Sequence, residues 1–254
     1  LLANFTWSQI YAPHAAKLGA EERQFVRELR ECEREATVVF RAQPSLVMPG
    51  LPSTLDVGLV AKRGKNRGRE LRESLGLKGG TKLVYLYLGR YGQDNMDWRR
   101  LSRFADQGIH FVGFHSAPLS QPAPVNLHVV DAQDWTGGQL AASCDAIVAK
   151  AGYGTCCDAL VSRVPLIYPP RRGFAEFAAL DRAMRQWGGG IKVPAAAFNA
   201  FRIGPALEQA FQQRPGESPY PLDGADRIAR CLLSIGRGAT APDAIARITL
   251  DSVG

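Results

Sequence analysis

From residue 82 onward, short apolar runs alternate with amphipathic stretches. Leu83-Val84-Tyr85-Leu86-Tyr87-Leu88 is nearly continuous and predicts a strand buried on both faces, as in a parallel sheet. Further strands are predicted at 109–114, 127–130, 146–149, 165–168 and 190–193. Between them the spacing predicts helices over 97–105, 138–143, 155–162 and 174–186, and two more close the chain near 203–213 and 224–235. Strands alternating with helices in this way predict an α/β fold with a doubly wound parallel sheet, Rossmann-like in organisation. Right-handed crossovers then bring the loops after the strands to one edge, where such sheets bind ligands.

The first 77 residues read as a partial second α/β domain. A strand at 1–3, a charged helix over 21–35 with Phe25, Val26 and Leu29 on one face, and a strand at 37–40 are expected there. Pro44, Pro49, Gly50 and Pro52 mark 43–57 as a loop. A basic helix over 66–75, stopped by Gly76, closes the linker. The expected domains are therefore 1–77, 78–238 and a loose tail over 239–254. The chain opens like the end of a strand and without Met, so it is expected to begin inside a domain, with sequence missing upstream.

Composition narrows the classes. Apolar residues make up 46% and charged residues 22% of 254, an ordinary globular balance. No apolar run has the length of a membrane span, and no signal peptide opens the chain. Five cysteines, an odd number without metal-ligand spacing, read as buried thiols of a reducing cytosol, which gives a cytoplasmic expectation. No metal or cofactor is expected. The net charge of +7 is concentrated in Lys62, Arg63, Lys65, Arg67, Arg69 and Arg72. Such a run is either a solvated face or a surface for a polyanion, a phosphorylated substrate or anionic lipid. No nucleic-acid motif accompanies it, so no nucleic-acid partner is expected, and peripheral membrane contact has no further support.

The chemistry concentrates in Lys150-Ala151-Gly152-Tyr153-Gly154-Thr155-Cys156-Cys157-Asp158, where a strand runs into a glycine-punctuated turn and a helix starts. Gly152 and Gly154 permit a sharp turn and close ligand approach, and a helix start favours a phosphate. The spacing is neither a P-loop nor the dinucleotide fingerprint. Thr155 and Asp158 alone also fit a helix capping box. The next strand ends in Arg171-Arg172-Gly173-Phe174-Ala175-Glu176. Arg suits bidentate phosphate contact, and Glu176 either accepts from sugar hydroxyls or complements the helix dipole. Gly89-Arg90-Tyr91-Gly92 forms a third loop at this edge.

Together these segments resemble the C-terminal half of the two-domain (GT-B type) UDP-sugar glycosyltransferases, among them the family that adds N-acetylglucosamine to lipid-linked peptidoglycan precursors. The pattern Lys150-x-Gly152-Tyr153-Gly154-Thr155-x-x-Asp158-Ala159-Leu160, then Val164-Pro165-Leu166-Ile167-Tyr168 and Arg172-x-Phe174-x-Glu176, carries the likeness. It is most similar to the glycosyltransferase-like region fused to sugar kinases in arabinokinases, whose Asn-Phe-Ser/Thr-Trp-x-x-Ile-Tyr stretch matches residues 4–11.

The resemblance implies transfer of a sugar from a nucleoside diphosphate donor to an acceptor hydroxyl, small or lipid-linked. Gly152, Tyr153, Gly154 and Thr155 would hold the diphosphate. Asp158 stands where the family usually has a Glu on the ribose hydroxyls. Arg172 and Glu176 would serve the donor, Gln133 would lie near the base, and Gly89 and Arg90 depart from the usual glycine pair. Against the family's usual length, most of the acceptor domain is expected to be missing here, and no catalytic base is assigned; His14, His110, His115 and His128 are candidates by type, with His115 best placed. A non-catalytic nucleotide-sugar-binding module and a nucleotide-sugar epimerase remain alternatives.

Overall fold

The computed structural model describes residues 1–89, 96–115, 117–118 and 121–250. Its contacts divide the chain into two compact units. The first comprises Leu1–Ala61, Arg172–Leu180 and Tyr220–Gly254; the second comprises Lys62–Arg171 and Asp181–Pro219. The expected division at 77/78 and 238/239 differs from this one. Residues 62–77 pack with the second unit, and the chain returns to the first at 172–180 and again from 220.

In the first unit, β1 (Leu2–Ala3), β2 (Val39–Ala42) and β3 (Thr54–Val57) form a parallel sheet in that order. β3 corrects the expectation of a loop across 43–57. The strand has only four residues behind a proline-rich stretch, but Leu55 and Val57 are buried while Asp56 points outward and pairs with Arg41 of β2. Helices α1 (Trp7–Tyr11) and α2 (Ala20–Arg34) follow β1.

The second unit begins with α3 (Gly68–Ser74) and carries six parallel strands: β4 (Lys82–Tyr87), β5 (Ile109–Gly113), β6 (Leu127–Val129), β7 (Ala146–Ala149), β8 (Leu166–Tyr168) and β9 (Gly190–Lys192). Their order is β6-β5-β4-β7-β8-β9. That is the doubly wound arrangement in which strand order reverses between the first and fourth strands, here β4 and β7. One face presents Val84, Leu86, Phe111, Val148 and Ile167, packed with Trp98, Leu101, Phe198 and Leu207 in a single core. Helix α4 (Gly137–Ser143) contacts β4, and α5 (Tyr153–Ser162) packs on α4.

The segment Trp98–Gln107 is a 3-10 helix rather than a regular α-helix. The carbonyl of Leu101 accepts instead from the buried Asn126 Nδ2 (2.8 Å), which also bonds Ile109 O (2.9 Å). Gly108 ends the helix at φ 65°, where a residue with a Cβ would be strained. The second unit closes with α6 (Glu176–Trp187), whose first turn belongs to the first unit, then α7 (Ala195–Asn199) and α8 (Gly204–Gln212). Back in the first unit, α9 (Gly224–Gly236) is followed by α10 (Ala241–Leu250), where a loose tail was expected. The Thr240 hydroxyl, which accepts from Asp243 N–H (3.3 Å) and donates to Asp243 Oδ2 (2.6 Å), starts that last helix. Among the described residues no helix is long and apolar enough to cross a membrane.

Candidate functional site

Two adjoining clefts open at the carboxyl ends of β4 and β7, the point where strand order reverses. The first, about 500 Å³, is lined by Tyr85, Tyr87, Phe114, Gly137, Gly152, Tyr153, Gly154, Thr155 and Asp158. The second, about 260 Å³, is lined by Tyr87, Leu88, Gly89, Lys150, Gly152, Thr155 and Arg171. They share Tyr87, Gly152 and Thr155, so the start of α5 borders both.

Helix α5 begins at Tyr153 with Gly152 as its N-cap, and no side chain caps it. The expected capping box of Thr155 and Asp158 does not form, because both lie inside the helix and Asp158 faces the cleft wall. Gly152 has an ordinary extended backbone (φ −124°, ψ 161°), so a sharp turn is not what requires glycine there. A Cβ on Gly152 or Gly154 would meet nothing within 4 Å. Their glycines keep space open in front of the helix start.

The aromatic wall comes from β4 and the end of β5. Tyr85 and Tyr87 stack with centroids 6.1 Å apart, and Phe114 meets Tyr85 edge-on at 6.3 Å. Opposite them, α4 starts with Gly137 and Gly138, capped by Thr136 with Gln139. A Cβ at Gly137 would lie 3.2 Å from Tyr85 Oη and 3.7 Å from Asp158 Oδ2. One at Gly138 would lie 3.4 Å from Asp158 Oδ1. Behind them Gly64 passes so close that its Cβ would fall 1.9 Å from Gly138 O. This crossing fixes the basic segment beside α4.

The charges are unevenly matched. Asp158 makes no hydrogen bond or ion pair among the described residues, and burial pushes its carboxyl up to about 6. Burial also raises Tyr85, with the Asp158 carboxylate adding to the effect. At the other cleft, Arg171 Nη1 donates to Ala151 O (3.1 Å), and burial together with the Arg171 charge lowers the pKa of Lys150. A helix start and two cations therefore border the second cleft, while a carboxylate and aromatic rings border the first.

The sequence-derived candidates separate accordingly. Gly89, Gly152, Tyr153, Gly154, Thr155 and Asp158 line the clefts. Arg90 lies outside the described residues, as do Tyr91 and Gly92. Gln133 is exposed in a turn held by its N–H to Asp131 Oδ1 (2.8 Å) and lines neither cleft. Arg172 and Glu176 belong to the first unit: Arg172 is exposed, while Glu176 is buried and accepts from Asn4 Nδ2 (2.6 Å). Arg171, one residue earlier, lines the second cleft.

His115 is exposed and lines neither cleft, His14 bonds Gly173 O (2.8 Å), and His110 Nδ1 meets His128 Nε2 (2.8 Å). Half of the basic run is structural. Arg67 pairs with Glu70 and covers the Trp135 ring at 4.1 Å, Arg69 pairs with Glu73, and Arg72 pairs with Asp145 (2.8 Å). Tyr85, Tyr87, Phe114 and Gly137 are new to the site. Their one sequence signal is two tyrosines at alternate positions of a strand otherwise buried and aliphatic.

No family model matches the chain. It is 27% identical over 215 residues to the L-arabinokinase of Arabidopsis thaliana, covering 84% of this chain and 20% of that protein. The chain thus spans about a fifth of that relative's length. Among solved structures it resembles CalG4, the calicheamicin glycosyltransferase (TM-score 0.53, 16% identity, 95% of this chain and 63% of that one). It also resembles the spinosyn forosaminyltransferase SpnP (TM-score 0.50, 16% identity, 96% and 66%). The fold is GT-B glycosyltransferase-like, and the chain is distantly homologous to L-arabinokinase over most of its length.

Proposed function

We propose, from this GT-B-like fold, that the second unit binds a UDP-type nucleotide sugar and serves a glycosyltransferase acting on an acceptor hydroxyl. The observation that carries this reading is the pair of clefts where strand order reverses, one cationic and one aromatic with an unpaired carboxylate. The diphosphate sits at the α5 start between Lys150 and Arg171, where the positive end of the helix and two cations offset its charge. The base lies against Tyr85, Tyr87 and Phe114, and the Asp158 carboxylate accepts from the ribose hydroxyls. Sugar transfer leaves a nucleoside diphosphate, so the groups that bind this diphosphate also stabilise it as the leaving group.

Lys150 provides the first test. Lys150→Gln is expected to weaken UDP about tenfold, in the range for losing a hydrogen bond to a charged group, and to leave uridine nearly unchanged. Calorimetric titration with both ligands measures the difference. Equal losses for the two would remove Lys150 from the diphosphate position. UDP binding without sugar transfer by a full-length protein would favour the non-catalytic binding module.

A further inference from the structure

A second cationic cavity lies in the first unit, between α9 and α10. It is an open hollow of about 520 Å³, with Arg230, Arg237 and Arg247 around it. Gly238, at φ 93°, makes the left-handed bend that folds α10 back beside α9, so that guanidinium groups from two helices and their connecting turn border one space. Asp243 is the acid in this lining, and its Oδ2 is occupied by the Thr240 hydroxyl (2.6 Å). Arg237 and Arg247 are exposed and form no ion pair among the described residues. Arg237 and Arg247 reach this space from the turn and from α10, and an oxyanion there would take bidentate N–H bonds from their planar guanidinium groups. The large apolar side chain in this lining is Leu233, at 58% exposure.

We propose that this cavity binds a phosphate group, separately from the nucleotide clefts. Arg237 and Arg247 are its principal ligands. The phosphate belongs either to a soluble phosphorylated molecule or to an anionic lipid headgroup, with the exposed Leu233 suited to the second source.

The test compares Lys150→Gln, which weakens the nucleotide cleft, with the same protein carrying the Arg237→Gln/Arg247→Gln double substitution as well. One arm titrates inorganic phosphate at low ionic strength. The other measures co-sedimentation with vesicles of phosphatidic acid in phosphatidylcholine against phosphatidylcholine alone. Phosphate binding that falls tenfold or more in the double variant supports a soluble ligand. Vesicle binding that requires phosphatidic acid and is lost in the double variant supports a headgroup. If neither probe binds, or binding is the same in both proteins, the proposal is overturned. Both substitutions lie on exposed side chains, and thermal melting verifies that the fold persists. UDP titration of the double variant without Lys150→Gln should match wild type, which separates this outcome from that of the nucleotide reading.

Discussion

Asp158→Asn is expected to make the ligand-free protein more stable and the nucleotide complex weaker at the same pH. Burial raises the carboxyl of Asp158 to about 6, against an ordinary value near 3.9. The folded state therefore holds this proton more tightly than the unfolded chain. Between about pH 4 and 6 the native protein binds more protons, so this group's contribution to stability falls as pH rises. Above about pH 6 the ionised group costs about 2 kcal/mol, allowing for its partial exposure. The amide carries no such cost, so Asp158→Asn should melt higher than wild type at pH 8, with the difference closing below pH 4.

Binding moves the other way. A carboxylate accepting from ribose hydroxyls makes charge-assisted bonds, and their loss costs about 1–3 kcal/mol, or roughly five- to 150-fold in affinity. Wild-type affinity for UDP should also decline more steeply as pH falls below about 6 than that of the variant, which keeps only the decline due to protonation of the terminal phosphate of UDP. Melting curves and UDP titrations from pH 5 to 8 measure both effects. A variant that binds UDP as tightly as wild type at pH 8 would return Asp158 to a purely local role.

Gly154→Ala is expected to leave the fold intact, or stabilise it by up to about 1 kcal/mol, while weakening UDP at least tenfold. Gly154 lies in the first turn of α5, where alanine is the better helix former, and the added methyl meets no protein atom within 4 Å. That methyl would instead occupy space in front of the helix start, where close backbone approach to a phosphate needs glycine. Gly152→Ala should behave similarly, its backbone being compatible with any residue. Denaturant unfolding and UDP titration of each variant separate the two effects. Unaltered affinity with an unaltered fold would place the diphosphate elsewhere.

The second unit was largely legible because its central strands, β4, β5, β7 and β8, are short, mostly buried runs bounded by turn residues. β7 matches its predicted span, 146–149. Asp158 and the helix start were legible for the same reason: local pattern places them at the end of a buried strand. Thr155 and Asp158 also fit a capping box by spacing alone. Only the actual helix start, two residues earlier than expected, decides against it.

What local pattern could not supply was the neighbour across the cleft. Tyr85 and Tyr87 count as strand core in the sequence, and it is the facing Gly137, with no side chain, that leaves room beside them. The choice between Arg171 and Arg172 depended on side-chain direction within one loop, which adjacent identical residues do not encode. In the first unit, β3 was hidden because four residues behind three prolines carry too little alternation to register as a strand. The return of 220–250 to the first unit is a non-local event; Leu59 N–H donating to Pro221 O (2.7 Å) has no short-range signature.

A thermal-shift titration of the wild-type chain with UDP, run beside uridine and the Gly154→Ala variant, most directly probes whether the paired clefts hold a nucleoside diphosphate. A ligand that binds only the folded state stabilises it by about 2.7 kcal/mol at a hundred times its Kd. The expected result is a melting temperature that climbs with UDP concentration in wild type and climbs far less with uridine, while the variant needs at least tenfold more UDP for the same shift. A wild-type melting temperature that does not move in saturating millimolar UDP, or that moves equally in Gly154→Ala, would contradict it.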